Sequence, residues 1–137
     1  MLDQMDASRL AALPPTARAK ELSGQASGYL DRGLLLEAER LYRDAVADDP
    51  ASIDAHVGLA RVREGSGEAD AARKEALTAN DLTPSAAAWM VLARVDMAHG
   101  KLADANREAS EAVKLEPTNA AAQQLQMHLL ALTGAKK

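Results

Sequence analysis

The sequence predicts an all-α fold, an α-solenoid of antiparallel helical hairpins, and three observations lead there. The 137 residues include no Phe, one Trp and two Tyr, too little aromatic material for an all-β fold. Alanine supplies about a fifth of the chain, and with Leu, Glu, Lys and Arg it favours helices whose backbones lie close together. The third observation is a repeat. Pro50, Pro84 and Pro117 are spaced by 34 and then 33 residues, and Gly33, Gly67 and Gly100 keep the same two steps. So do Ala26, Ala60 and Ala93, then Ala38, Ala72 and Ala105, then Ala45, Ala79 and Ala112. In so alanine-rich a chain the alanine columns alone are cheap coincidences; glycine and proline columns in the same register are not.

Each copy reads as helix, tight turn, helix, proline. Apolar residues recur at helical spacing from Ala51 to Gly65 and from Ser85 to His99. The turn glycine stands where the first helix ends in a left-handed residue, which glycine adopts without steric cost. The proline closes the second helix because it cannot continue the hydrogen-bond ladder. The expected helices are 19–32, 35–49, 52–65, 68–82, 85–99 and 102–115. Ala26 and Ala38 are expected to face each other within one hairpin, and Ala45 to meet the next. A leucine at such a contact would overpack by about 1–3 kcal/mol.

These columns resemble the tetratricopeptide repeat. The last copy carries Trp89, Leu92, Ala93, Gly100, Ala105, Ala112, Leu115 and Pro117; the first offers Leu22, Ala26, Tyr29, Gly33, Ala38, Tyr42, Ala45 and Pro50. The middle copy departs, with His56 where the family prefers Trp, Arg63 where it prefers Tyr, and Ala76 where it prefers an aromatic. The resemblance divides the chain into an N-terminal helical segment 1–18, repeats 19–52, 53–86 and 87–119, and a capping helix with tail 120–137. It implies a right-handed superhelix whose first helices line a concave, peptide-binding surface. Members that bind chaperone tails use Lys and Asn near the start of the first helices. Ser23, Ser27, Gly58 and Val91 stand there in this chain, so that speciality is not expected.

Two ends remain. Thr118 or Asn119 can cap a last helix over 119–132, with Leu125, Leu129 and Leu132 on one face and Gln123, Gln124, Gln126 and His128 on the other. A polar outer face is what a terminal cap requires. Before Pro14–Pro15, Leu2, Met5, Leu10 and Leu13 form a short helical stripe. Pattern alone leaves it as a cap, the remnant of a preceding repeat, or a dimerisation arm for self-association.

Charge and chemistry narrow the function. A net charge of −4 and a pI near 5.3 disfavour a nucleic-acid partner, and no apolar run approaches the ~18 residues that would span a bilayer. Asp3 and Asp6 stand where a secretory leader would be basic and then apolar. That pattern favours the cytoplasm, while a removed leader would allow the periplasm. The absence of cysteine excludes disulfides and thiolate metal sites without separating those compartments. His56, His99 and His128 lie in different repeats, with no second ligand at i+3 or i+4 forming a metal pair. Gly65–Ser66–Gly67 lacks the Lys-Ser/Thr ending of a phosphate loop. No catalytic, cofactor or metal site is expected. His56 reads as a packed structural histidine, and His99 as a donor to the terminal carbonyls beside Gly100.

The expected site is the groove along the first helices, taking an acidic or carboxylate-bearing peptide with apolar anchors. Ser27, Arg61, Arg94 and His128 form its polar column and Val57 and Met90 its apolar one, with Leu30 and Met97 further along. Asp54 and Glu64 share that face and partly neutralise the arginines. The competing function is structural, as a fragment of a longer array or a self-associating scaffold. Arg63 and Asp96 occupy equivalent columns of adjacent repeats and are expected to form a partly buried ion pair.

Overall fold

The computed structural model describes residues 4–134, with side chains from residue 7 onward. Among the described residues there are eight helices and no strand: α1 Gln4–Ala11, α2 Pro15–Asp31, α3 Leu35–Asp48, α4 Ile53–Gly65, α5 Ala69–Leu82, α6 Ala86–Ala98, α7 Leu102–Leu115 and α8 Ala120–Thr133. They form the expected solenoid, α2–α3, α4–α5 and α6–α7 being hairpins and α8 continuing the stack as a further first helix. Leu2 and the tail 135–137 lie outside the described residues, as does the side chain of Met5. Among the described residues no helix is long and apolar enough to cross a membrane.

Local chemistry accounts for the helix ends. Ser52, Ser85 and Asn119 cap α4, α6 and α8, each side chain accepting from the backbone N–H three residues on at 3.0–3.2 Å. α2 starts four residues before the expected 19, because Pro15 takes its first turn, where no N–H is needed. Each hairpin turns on a left-handed glycine, with φ of 76°, 76° and 77° at Gly33, Gly67 and Gly100. The next residue's N–H reaches back to Tyr29, Arg63 or Asp96 O at 2.8–2.9 Å. The second helices end at Asp48, Leu82 and Leu115, two residues before their prolines.

The core is a chain of small clusters. Leu10, Leu22, Ala26, Ala38, Tyr42, Ala45, Leu59 and Val62 hold the first hairpin to α4. Ala60, Ala72, Ala76, Ala79, Val91, Leu92 and Val95 hold the second hairpin to α6, and two clusters around Met90 and Leu129 fix α8. The alanine columns are fully buried, as close helix contact demands. Trp89 is half-buried between two clusters, a packing residue. α1 packs through Leu10 on Ala19 and Leu22, far more thinly than the later second helices pack on the first helices that follow them.

Ion pairs cross these seams. Arg18 of α2 holds Asp48 of α3 with two bonds of 2.8 and 2.9 Å, which keeps the Asp48 carboxyl below its usual range. The expected Arg63–Asp96 pair does not form. Arg63 instead reaches Glu39 on α3 at 2.9 Å and Glu68 at 3.3 Å, while Asp96 is bound by Arg73 on α5. Arg63 faces α3 and Asp96 faces α5, each the second helix of the preceding repeat, so each charge is paired there and not with the other.

Candidate functional site

The first helices leave an open trough of about 490 Å³. Lys20, Ser23, Gly24 and Ser27 come from α2, and Ile53, Asp54, Val57, Gly58 and Arg61 from α4. Ser85, Ala87 and Glu116 close the far end. Tyr42 reaches the floor from α3, because Gly58 has no side chain to stop it: a Cβ there would lie 2.1 Å from the ring's Cε1 and Cζ. Burial pushes the phenol above its ordinary pKa, while a hydrogen bond with Ser27 and the nearby Arg61 charge pull it back.

Three expected site residues, Ser27, Val57 and Arg61, line this trough. Arg61 is exposed and, among the described residues, makes no ion pair. Arg94 is taken: it binds Glu64 through Nε at 2.6 Å and Nη2 at 3.0 Å. Met90 corrects the expectation of an exposed methionine, being 8% exposed and packed with Ala86, Ala112 and Ala122. Met97 is half-buried in the cluster around Leu129. The reason is α8, which lies beside α6 as a further first helix and covers the column. Leu30 packs on the first cluster, and His128 is exposed on α8 away from the trough lining.

Tyr42 and Gly58 escaped the sequence reading as site residues. A glycine inside a helical stretch was the available signal, since it marks a close approach. Two of the histidines are tied into the fold: His99 Nδ1 lies 3.0 Å from Val95 O. His56 spans Pro50 O at 2.8 Å and Glu75 Oε1 at 3.0 Å. Among the described residues no three His, Asp or Glu side chains gather as a metal site.

Stacked helical hairpins, turned on left-handed glycines and open along their first helices, define a helical-repeat solenoid. The repeats are of one kind: a family model described as tetratricopeptide repeat matches residues 29–95, and that stretch carries the repeat. No curated protein matches the chain. Among solved structures, the first such domain of Spaghetti (RPAP3), bound to an HSP90 peptide, aligns with a TM-score of 0.79 at 20% identity, covering 88% of this chain and 98% of that one. The Sgt2 domain from Aspergillus fumigatus gives 0.76 at 19%, covering 92% and 89%. The Yersinia enterocolitica type III secretion chaperone SycD, complexed with a peptide of the translocator YopD, gives 0.71 at 17%, covering 85% and 89%. At these identities the likeness is one of fold.

Proposed function

We propose that the chain is a non-enzymatic protein-interaction module whose concave trough takes an extended peptide segment of a partner protein. The observation that carries this is Arg61, an uncommitted cation standing beside Val57 and the Tyr42–Ser27 pair in an open trough. Two fold neighbours, the RPAP3 domain and SycD, hold peptides in their complexes, which supports the same class of ligand here. Three first helices span about 30 Å, enough for eight or nine extended residues at ~3.3 Å each. Arg61 and Lys20 supply charge-assisted bonds to carboxylates, while Ile53 and Val57 take apolar side chains. Asp54 and Glu116 on the rim orient the segment by repelling acidic residues at its other end.

A displayed library of random peptides about nine residues long, selected on the immobilised chain, tests the proposal. Enrichment of acidic sequences, lost with Arg61→Glu and weakened by salt over the ~8–10 Å screening range, is the expected result. Equal selection by parent and Arg61→Glu chains would reject it. The competing scaffold reading draws on Met127 and Leu132, 69% and 51% exposed on α8. A solution mass that rises with concentration would favour it.

A further inference from the structure

The middle repeat carries His56 in the column where its neighbours carry Leu22 and Trp89. An apolar side chain there needs only packing, whereas a buried imidazole needs hydrogen-bond partners. His56 is 9% exposed, and both of its ring nitrogens meet oxygen. Nε2 lies 2.8 Å from Pro50 O, and Nδ1 lies 3.0 Å from Glu75 Oε1. Neither oxygen brings a proton, one being a backbone carbonyl and the other a carboxylate. A neutral imidazole has one N–H and one lone pair, so it satisfies one oxygen and turns its lone pair on the other. The imidazolium donates to both. One added proton therefore completes the cluster.

We propose that His56 is a proton-operated clasp, which when protonated ties the loop 49–52 and α5 to the start of α4, and which releases the loop when its proton leaves to solvent. Pro50 lies in that loop, and Glu75 on α5. Ser52, in the same loop, caps α4 by accepting from Ala55 N–H at 3.2 Å, and its carbonyl accepts from His56 N–H at 3.2 Å. The next two residues, Ile53 and Asp54, line the trough, so the proton decides how firmly that wall is held. The other charges nearby are committed or turned away from the ring. Asp48 is bound by Arg18, Asp49 Oδ1 accepts from Ala51 N–H at 3.1 Å, and Arg73 binds Asp96. Lys74 is exposed, and Asp54 lines the trough. Glu75 is left as the charged partner of the ring. Imidazole is the side chain that changes charge between about pH 5 and 8, so the clasp closes on the acid side and opens on the alkaline side. It works whether or not a peptide occupies the trough.

Ring-nitrogen and backbone amide spectra of the isotope-labelled full chain, taken from about pH 5.5 to 8.5, test this. At the acid end both His56 ring nitrogens should carry protons. Exchange protection of the Ala55 and His56 amides, corrected for intrinsic rates, should be roughly threefold or more above that at the alkaline end. The amides of residues 51–54 should shift along the same curve as the ring. His56→Gln should make those amide positions independent of pH. Glu75→Gln, which keeps the ring, should move the midpoint of the curve to lower pH. Glu108→Gln, on α7, should leave the curve in place. A ring that carries a single N–H throughout the range would overturn the proposal, as would loop shifts that survive His56→Gln or a midpoint unmoved by Glu75→Gln. So would a ring that titrates while the amides of 51–54 stay still, since its proton would then hold nothing.

Discussion

Two seams of the stack, α3 on α4 and α5 on α6, use the same columns with their charges exchanged. At the first, Glu39 accepts from Arg63 at 2.9 Å. At the second, Arg73 stands one repeat on from Glu39 and binds Asp96, one repeat on from Arg63. A stack slipped by one hairpin would set Glu39 against Asp96 and Arg73 against Arg63, like against like, so the order of the repeats is written in sign. The seams differ in depth. The Glu39–Arg63 pair is partly open and is shared with Arg43 and Glu68. Asp96 is 1% exposed and Glu108 of α7, 2% exposed, lies behind it. Asp96 Oδ2 and Glu108 Oε1 are both buried without a donor, and a proton held between the carboxyls supplies one. Desolvation first, then the hydrogen bond with Asp96 and its repulsion, push the Glu108 pKa up to about 8.

Removing the cation from the deep seam should produce the largest effect. Arg73→Ala leaves two buried carboxyls facing each other and is expected to cost about 3 kcal/mol, read as the loss of urea-unfolding free energy at pH 7. The next prediction concerns pH. Folding raises the Glu108 carboxyl from 4.5 to about 8, so the folded chain holds more protons than the unfolded chain across that window. Its stability contribution is present at low pH, is lost as pH rises through the window, and levels off above it. Glu108→Gln should flatten this part of the profile, and at pH 9 it should melt above the parent by roughly 3 °C or more. An equal slope in both chains between pH 5 and 8 would mean that Glu108 is ionised in the fold.

The shallow seam should respond less. Arg63→Ala is expected to cost about 1 kcal/mol, near the upper end for partly solvated pairs. Exchanging the charges there, with Glu39→Arg and Arg63→Glu together, should recover most of that loss in a double-mutant cycle. The smallest effect is expected from Arg107→Ala. Its exposed side chain reaches Asp104 at 3.1 Å and Glu108 only at 3.8 Å, so calorimetry should find a change below about 0.5 kcal/mol.

Features set by a residue's own chemistry are legible in the sequence. Gly33, Gly67 and Gly100 announce left-handed turns, and Thr118–Asn119 announces a cap, which falls on Asn119. The alanine columns mark close contacts because a small side chain has few other reasons to recur at a fixed step. What depends on a third element is not legible. Met90 satisfies the helical spacing of an exposed face, and only the placement of α8 beside α6 buries it. Arg63 and Asp96 do stand as charges on the stacking face, but their partners sit on second helices. The opposite signs of Glu39 and Arg73, one repeat apart, are the signal that pairing between equivalent columns passes over. Of the expected trough, Ser27, Val57 and Arg61 line it; Arg94 is lost to Glu64, whose reach across the seam no spacing rule supplies.

The divided core also bears on how the chain responds to force. Each cluster joins only neighbouring hairpins, so a pull along the stack loads one seam at a time instead of the whole fold. The alanine contacts give way over short distances, because a methyl group has little length over which to stay engaged. Stretching should therefore release the chain in steps of one hairpin, beginning at the thinly packed α1 edge. The solenoid is in this sense a spring that yields first at its α1 end.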